Sequence, residues 1–148
     1  MRMKFYMCEF KHKRSERKLY KFGITRHMDV MKRFSADESE RFNRSIHQYD
    51  DFDIRVLASY VCADGGQASA IERDFLSIYP KNGLIVEAAL GESSGRYDDM
   101  SGVTELRKLS PSQLGCALKK IYGMIEQSGQ SEFKAEKKKY WMDRQRYE

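Results

Sequence analysis

The chain has 148 residues and a net charge of +5, and 41% of its residues are hydrophobic, 12% aromatic and 33% charged. That is about one domain's length with a core of its own, and no apolar run nears the ~18 residues of a membrane span. The opening MRMKFYMCEF carries charges inside its apolar stretch and makes a poor secretory signal, so a cytoplasmic protein is expected.

Residues 3–10 and 18–25 read as strands, with Tyr6, Cys8 and Phe10 on one face of the first and Phe5, Met7 and Glu9 on the other. In the second, Leu19, Lys21 and Gly23 oppose Tyr20, Phe22 and Ile24. Residues 24–34 read as a loop entering a helix, with Asp29 as N-cap and Val30, Met31 and Phe34 inward. The polar stretch 35–51 either extends that helix or forms a short one around Arg41 to His47.

Residues 52–62 are the best strand by β-branched and aromatic content, and ADGG breaks it before a helix over 67–79 that stops at Pro80. NGLIVEAAL, 82–90, reads as a strand, and 91–102 as a Gly-rich loop. After VTEL, Ser110 and Pro111 open a helix as N-cap and N1; it breaks at Ser128–Ser131 and gives way to a charged helix or tail. The order β-β-α-β-α does not alternate strictly, which predicts an α+β fold with a small mixed or antiparallel sheet flanked by helices. Residues 1–108 form the expected domain, and 109–148 a C-terminal helical extension packed on it. Cys8, Cys62 and Cys116 are odd in number, widely spaced and hold no Cys-x-x-Cys pair. Buried free thiols are expected, over a disulfide framework or structural zinc.

Residues 1–34 hold eleven Lys or Arg against Glu9, Glu16 and Asp29, a local +8 that leaves the rest of the chain at −3. The asymmetry fits a docking polyanion, with Lys11, Lys13, Arg14, Arg17 and Lys18 as phosphate contacts; a solvated basic face is the alternative. Lys137, Lys138 and Lys139 beside Tyr140 and Trp141 are a second candidate contact or an exposed helix face. On a helical wheel, Ala68, Ile71, Phe75, Leu76, Ile78 and Tyr79 make one apolar stripe, and Glu72 falls inside it. A carboxylate there reaches an edge, meets a cation or binds a metal, because unpaired burial costs several kcal/mol.

Tyr6 on a first strand, KFGIT with Gly23 on a second, MKRF with Arg33, IERDF with Glu72 and YPKN with Asn82 together resemble the GIY-YIG nuclease superfamily. KFGIT looks most like its branch with a KIG-type second motif, known from phage and meiotic-gene proteins, and GVTEL at 102–106 resembles that branch's late G-x-T-E segment. The match runs from residue 4 to about 106. The first-motif glycine is absent, Lys21 stands where the family more often has tyrosine, and the gap between the motifs is longer than usual.

The resemblance implies an endonuclease that hydrolyses DNA with one divalent ion, Mg²⁺ or Mn²⁺, encoded by a phage or mobile element. It makes Tyr6, Lys21, Arg33 and Glu72 the catalytic candidates, with Glu72 the metal ligand. Arg33 would stabilise phosphorane charge, and Tyr6 would orient or deprotonate water with its pKa lowered by Lys21. Gly23, His27, Asn82, Tyr20 and Arg26 are supporting candidates. Tyr20 rivals Tyr6 if the register slips by one, Arg26 rivals Arg33, and Asn82 could be only a turn former. His12 and His47 carry no spacing signal. A catalytically silent nucleic-acid-binding module, or a host-protein-interacting factor that works through its acidic remainder, are the alternatives.

Overall fold

The computed structural model describes residues 2–34 and 46–129. Strands β1 (Met3–His12) and β2 (Lys18–Thr25) form an antiparallel hairpin registered from Lys4 opposite Thr25 to Lys11 opposite Lys18. Strand β3 (Phe52–Cys62) pairs antiparallel with the other edge of β1, across a bulge at Met7 and Cys8, and the two-residue β4 (Leu106–Arg107) adds to β2. All pairings are antiparallel and the order is β3-β1-β2-β4, so the fold is α+β with a small antiparallel sheet.

Side-chain alternation divides the core into two layers. Phe5, Met7, Tyr20 and Phe22 face helices α2 (Gly65–Ile78) and α4 (Pro111–Ser128). Tyr6, Cys8, Phe10 and Leu19 face Phe34, Tyr49, Val86, Leu90, Tyr97 and Met100 on the other side. A sheet covered on both faces needs apolar side chains at both parities, which accounts for the run of aromatics in β1.

The segment Val30–Phe34 is a single 3-10 turn, capped where Asp29 Oδ1 accepts from the Met31 amide at 3.1 Å. Val30 and Phe34 are buried as expected, but Met31 is exposed, because so short a turn presents only two side chains to the sheet. Residues 35–45 lie outside the described residues; of the region expected to hold a second short helix, α1 (Ile46–Tyr49) is described.

Helix α2 starts earlier than the sequence suggests. Asp64 accepts from the Gln67 amide at 2.8 Å, so ADGG both ends β3 at Cys62 and supplies the cap and first turn of the helix. Ala68, Phe75 and Tyr79 are buried, and Ile71 and Leu76 pack against them, but Ile78 is 47% exposed beyond the edge of the packed stripe. Residues 82–90 are not a strand. Asn82 and Gly83 take positive φ of 52° and 75°, with the Leu84 amide bonded to Lys81 O at 2.9 Å, and the Glu- and Ala-rich stretch that follows turns into α3 (Val86–Ala89).

Helix α4 carries the expected start, a Ser110–Gln113 capping box with Pro111 at N1, and ends at Gly129 with φ 76°. Leu114, Ala117, Leu118, Ile121, Tyr122 and Ile125 enter the same core layer as α2, so residues 111–128 belong to the domain's own core. Cys8 and Cys62 are buried free thiols; Cys116 is exposed, because it lies on the outer face of α4. Residues 130–148, with the candidate contacts at 137–141, lie outside the described residues. Among the described residues no helix is long and apolar enough to cross a membrane.

Candidate active site

The hairpin register sets Tyr6 opposite Gly23 and Cys8 opposite Lys21. Tyr6 is fully buried, its ring edge-on to Phe34 at 5.9 Å between centroids. Its hydroxyl lies directly over the backbone of residue 23: a Cβ there would sit 2.4 Å from Tyr6 Oη and 2.5 Å from Cζ. Gly23 is therefore a packing requirement of Tyr6.

Lys21 is buried on the same face, its Nζ 5.9 Å from the Tyr6 ring centroid. That nitrogen faces Glu105 Oε2 at 3.7 Å. Arg33 is half-buried on the 3-10 turn, and its guanidinium donates to Ser101 Oγ at 3.2 Å. Glu72 is half-buried on α2. Both Arg33 and Glu72 are close enough to act electrostatically on Tyr6 and on Lys21. Tyr6 and Lys21 are thus neighbours on the sheet, and Arg33 and Glu72, from two further elements, act on both electrostatically.

The environment reverses one expectation. Burial, then the neighbouring Cys8, pushes the Tyr6 phenol well above its usual value, and Arg33 opposes this only in part. The Tyr6 phenol is therefore pushed toward its protonated form, because desolvation outweighs the opposing charge of Arg33. Burial pushes Lys21 down, against the pull of Glu105. Desolvation, then Glu105, raises the Glu72 carboxyl, with Lys21 opposing.

The supporting candidates separate. Tyr20 belongs to the opposite core layer, which excludes it as a register rival of Tyr6. Arg26 is exposed and His27 half-buried, with its amide on Thr25 Oγ1 at 3.1 Å; neither is among the charges that shift Tyr6, Lys21 or Glu72. Asn82 is exposed in its turn and has the backbone of a turn former.

The basic hairpin end lies away from this cluster, since Lys11 is about 17 Å along the strand from Tyr6. Arg14 pairs with Glu92 at 3.1 Å, Arg17 donates to Ala89 O at 3.1 Å, and Lys18 faces Glu9 at 3.7 Å, while Lys13 is exposed. Arg14, Arg17 and Lys18 are exposed and also make contacts within the fold. A cavity of about 720 Å³ opens here, lined by Arg14, His47, Glu92, Arg96 and Asp99 among others; its walls carry both signs of charge.

Two features escaped the sequence reading. Glu105 sits in GVTEL, whose G-x-T-E order was the available signal. His12 is buried, its ring nitrogens facing Ser15 Oγ at 2.8 Å and Tyr97 Oη at 3.1 Å, and Tyr97 donates in turn to Asp51 at 2.8 Å. Strand parity points to it, because His12 follows Tyr6, Cys8 and Phe10 on one face.

Among the described residues no three His, Cys, Asp or Glu side chains group as a metal cluster, and Glu105 acts electrostatically on Glu72. Comparison with known proteins returns no match to a family model, a curated protein or a solved structure.

Proposed function

We propose that the chain is a metal-dependent endonuclease of the GIY-YIG type that hydrolyses DNA phosphodiester bonds. The observation that carries the reading is the convergence of Tyr6, Lys21, Arg33 and Glu72 from β1, β2, the 3-10 turn and α2 into one electrostatically coupled cluster. Such clusters of perturbed groups mark functional sites more often than chance allows. The order of β1, β2, the 3-10 turn, β3 and α2 is compatible with the β-β-α-β-α core that the resemblance implies.

The donor set suits a hard cation. Glu72 offers carboxylate oxygens in a partly dry setting, and magnesium is commonly held by one or two carboxylates plus water and substrate phosphate. When bound there, Mg²⁺ or Mn²⁺ would offset charge on a non-bridging phosphate oxygen and the departing 3′ oxygen. Arg33 supplies a permanent cation for charge that builds on the phosphoryl oxygens. Tyr6, held protonated, offers its hydroxyl as a donor: the Oη is buried and has no partner among the described residues. Lys21 is the amine whose burial favours its neutral form, which suits it to take the proton of the attacking water.

A catalytically silent nucleic-acid-binding module is the second reading, favoured by the complete burial of Tyr6. Incubation with supercoiled plasmid and Mg²⁺ or Mn²⁺, beside Glu72→Ala, separates them: the nuclease cuts and the variant does not. Plasmid binding without cutting supports the second reading, and equal cutting by both proteins rules out this site.

A further inference from the structure

Two observations around Lys21 are left over by the site as described. Gly102 takes φ +78°, and a Cβ built on it would lie 2.7 Å from Lys21 Nζ and 3.1 Å from Cε, so the backbone at 102 lies against the end of the lysine. Three residues on, Glu105 turns a carboxylate oxygen back onto the same nitrogen at 3.7 Å. That Oε2 is shielded from water and makes no hydrogen bond among the described residues. The turn is closed by the Glu105 amide bonded to Gly102 O at 3.0 Å and runs directly into β4, whose Leu106 is paired with Lys21 itself. Backbone, carboxylate and strand register all converge on the Lys21 nitrogen.

We propose that the Gly102–Glu105 turn is a seat for the Lys21 side chain, and that Glu105 is a positioning residue which fixes the lysine nitrogen beside the Tyr6 ring. A lysine has four rotatable bonds and is far less self-orienting than the tyrosine the family more often carries at this place. The seat supplies the missing constraint: glycine makes room for the head group, and the carboxylate gives it a direction. Its catalytic consequence rests on the nuclease reading above. In that reaction water forms the new bond to phosphorus and its proton passes to the Lys21 amine. The bond from phosphorus to the 3′ oxygen breaks, the 3′ oxygen takes a proton from solvent, and Lys21 returns its own to solvent. An amine that wanders from the attacking water cannot take that proton.

The test pairs a structural readout with a kinetic one. In ¹⁵N-lysine-labelled protein, the Lys21 ¹⁵Nζ resonance, read through its side-chain methylene protons and assigned by its loss in Lys21→Arg, is expected to shift in Glu105→Gln while Glu105→Asp retains its position. With Mg²⁺ and plasmid, Glu105→Gln is expected to lower kcat ~10- to 100-fold with KM changed less than about twofold, and Glu105→Asp to recover part of the loss. A Lys21 signal indifferent to Glu105→Gln, or a variant that cuts like the wild type, overturns the proposal. Should the wild type cut nothing, the nuclease reading falls, and the labelled-lysine experiment still decides the seat.

Discussion

Tyr6 and Gly23 form a matched pair. The tyrosine hydroxyl fills the space a side chain at 23 would need, and that hydroxyl has no hydrogen-bond partner among the described residues. A buried donor without a partner costs about 1–3 kcal/mol, so Tyr6→Phe is expected to raise stability by about 1 kcal/mol, read from urea unfolding. An active-site role predicts that this more stable variant loses cleavage, whereas a core role predicts unchanged cleavage. Because the folded pKa is raised above the usual 10.0, Tyr6 contributes stability below that pH and loses it as pH rises beyond. Tyr6→Phe should therefore lose less stability than the wild type above pH 10. Gly23→Ala forces a methyl into a rigid ring and is expected to destabilise by about 3 kcal/mol, with Tyr6→Phe/Gly23→Ala recovering part of it, because removing the hydroxyl takes away the nearest clash.

At the scale of elements, the hairpin end behaves as a clasp. Arg17 donates to the end of α3, and Arg14 reaches Glu92 just beyond it. Asp51 ties Arg96 and Tyr97 to the turn before β3. Desolvation raises the Asp51 carboxyl, but the Arg96 and Tyr97 hydrogen bonds outweigh it and hold the group below its usual 3.8. Its contribution is present above 3.8 and is lost as pH falls through the lower folded value. Asp51→Asn should accordingly flatten the acid limb of a stability–pH profile below that point. Substitution separates the two kinds of basic residue. Arg17→Ala is expected to lower the melting temperature because it removes a tie to α3. Lys13→Ala should leave it unchanged and reduce the slope of log K against log salt for DNA by about 0.9.

Strands β1 to β3 and α4 were legible from the sequence because period-2 alternation, β-branched and aromatic content and a capping box are local signals that packing left intact, whereas the two-residue β4 is too short to carry any. The α3 region was not. LIVEAAL is too short for its period to separate strand from helix, and the Asn82-Gly83 turn redirects the chain before it. Of the site, Glu72 could be picked out because a carboxylate in an apolar stripe contradicts its surroundings. The Tyr6 ionisation could not, because burial is a property of the folded sheet and runs against the charges a sequence displays.

Across the whole molecule, one sheet carries two core layers, and the four-residue cluster draws on elements from residue 6 to residue 72 that only the completed fold assembles. A single mechanism then predicts a joint dependence on metal, Glu72 and Tyr6. The most direct test is single-turnover cleavage of supercoiled plasmid with Mg²⁺ by the wild type, Glu72→Ala and Tyr6→Phe, each verified as folded by circular dichroism. Cutting by the wild type that is abolished by chelation and lost in both variants is the predicted result. Folded Glu72→Ala that cuts at the wild-type rate would contradict it.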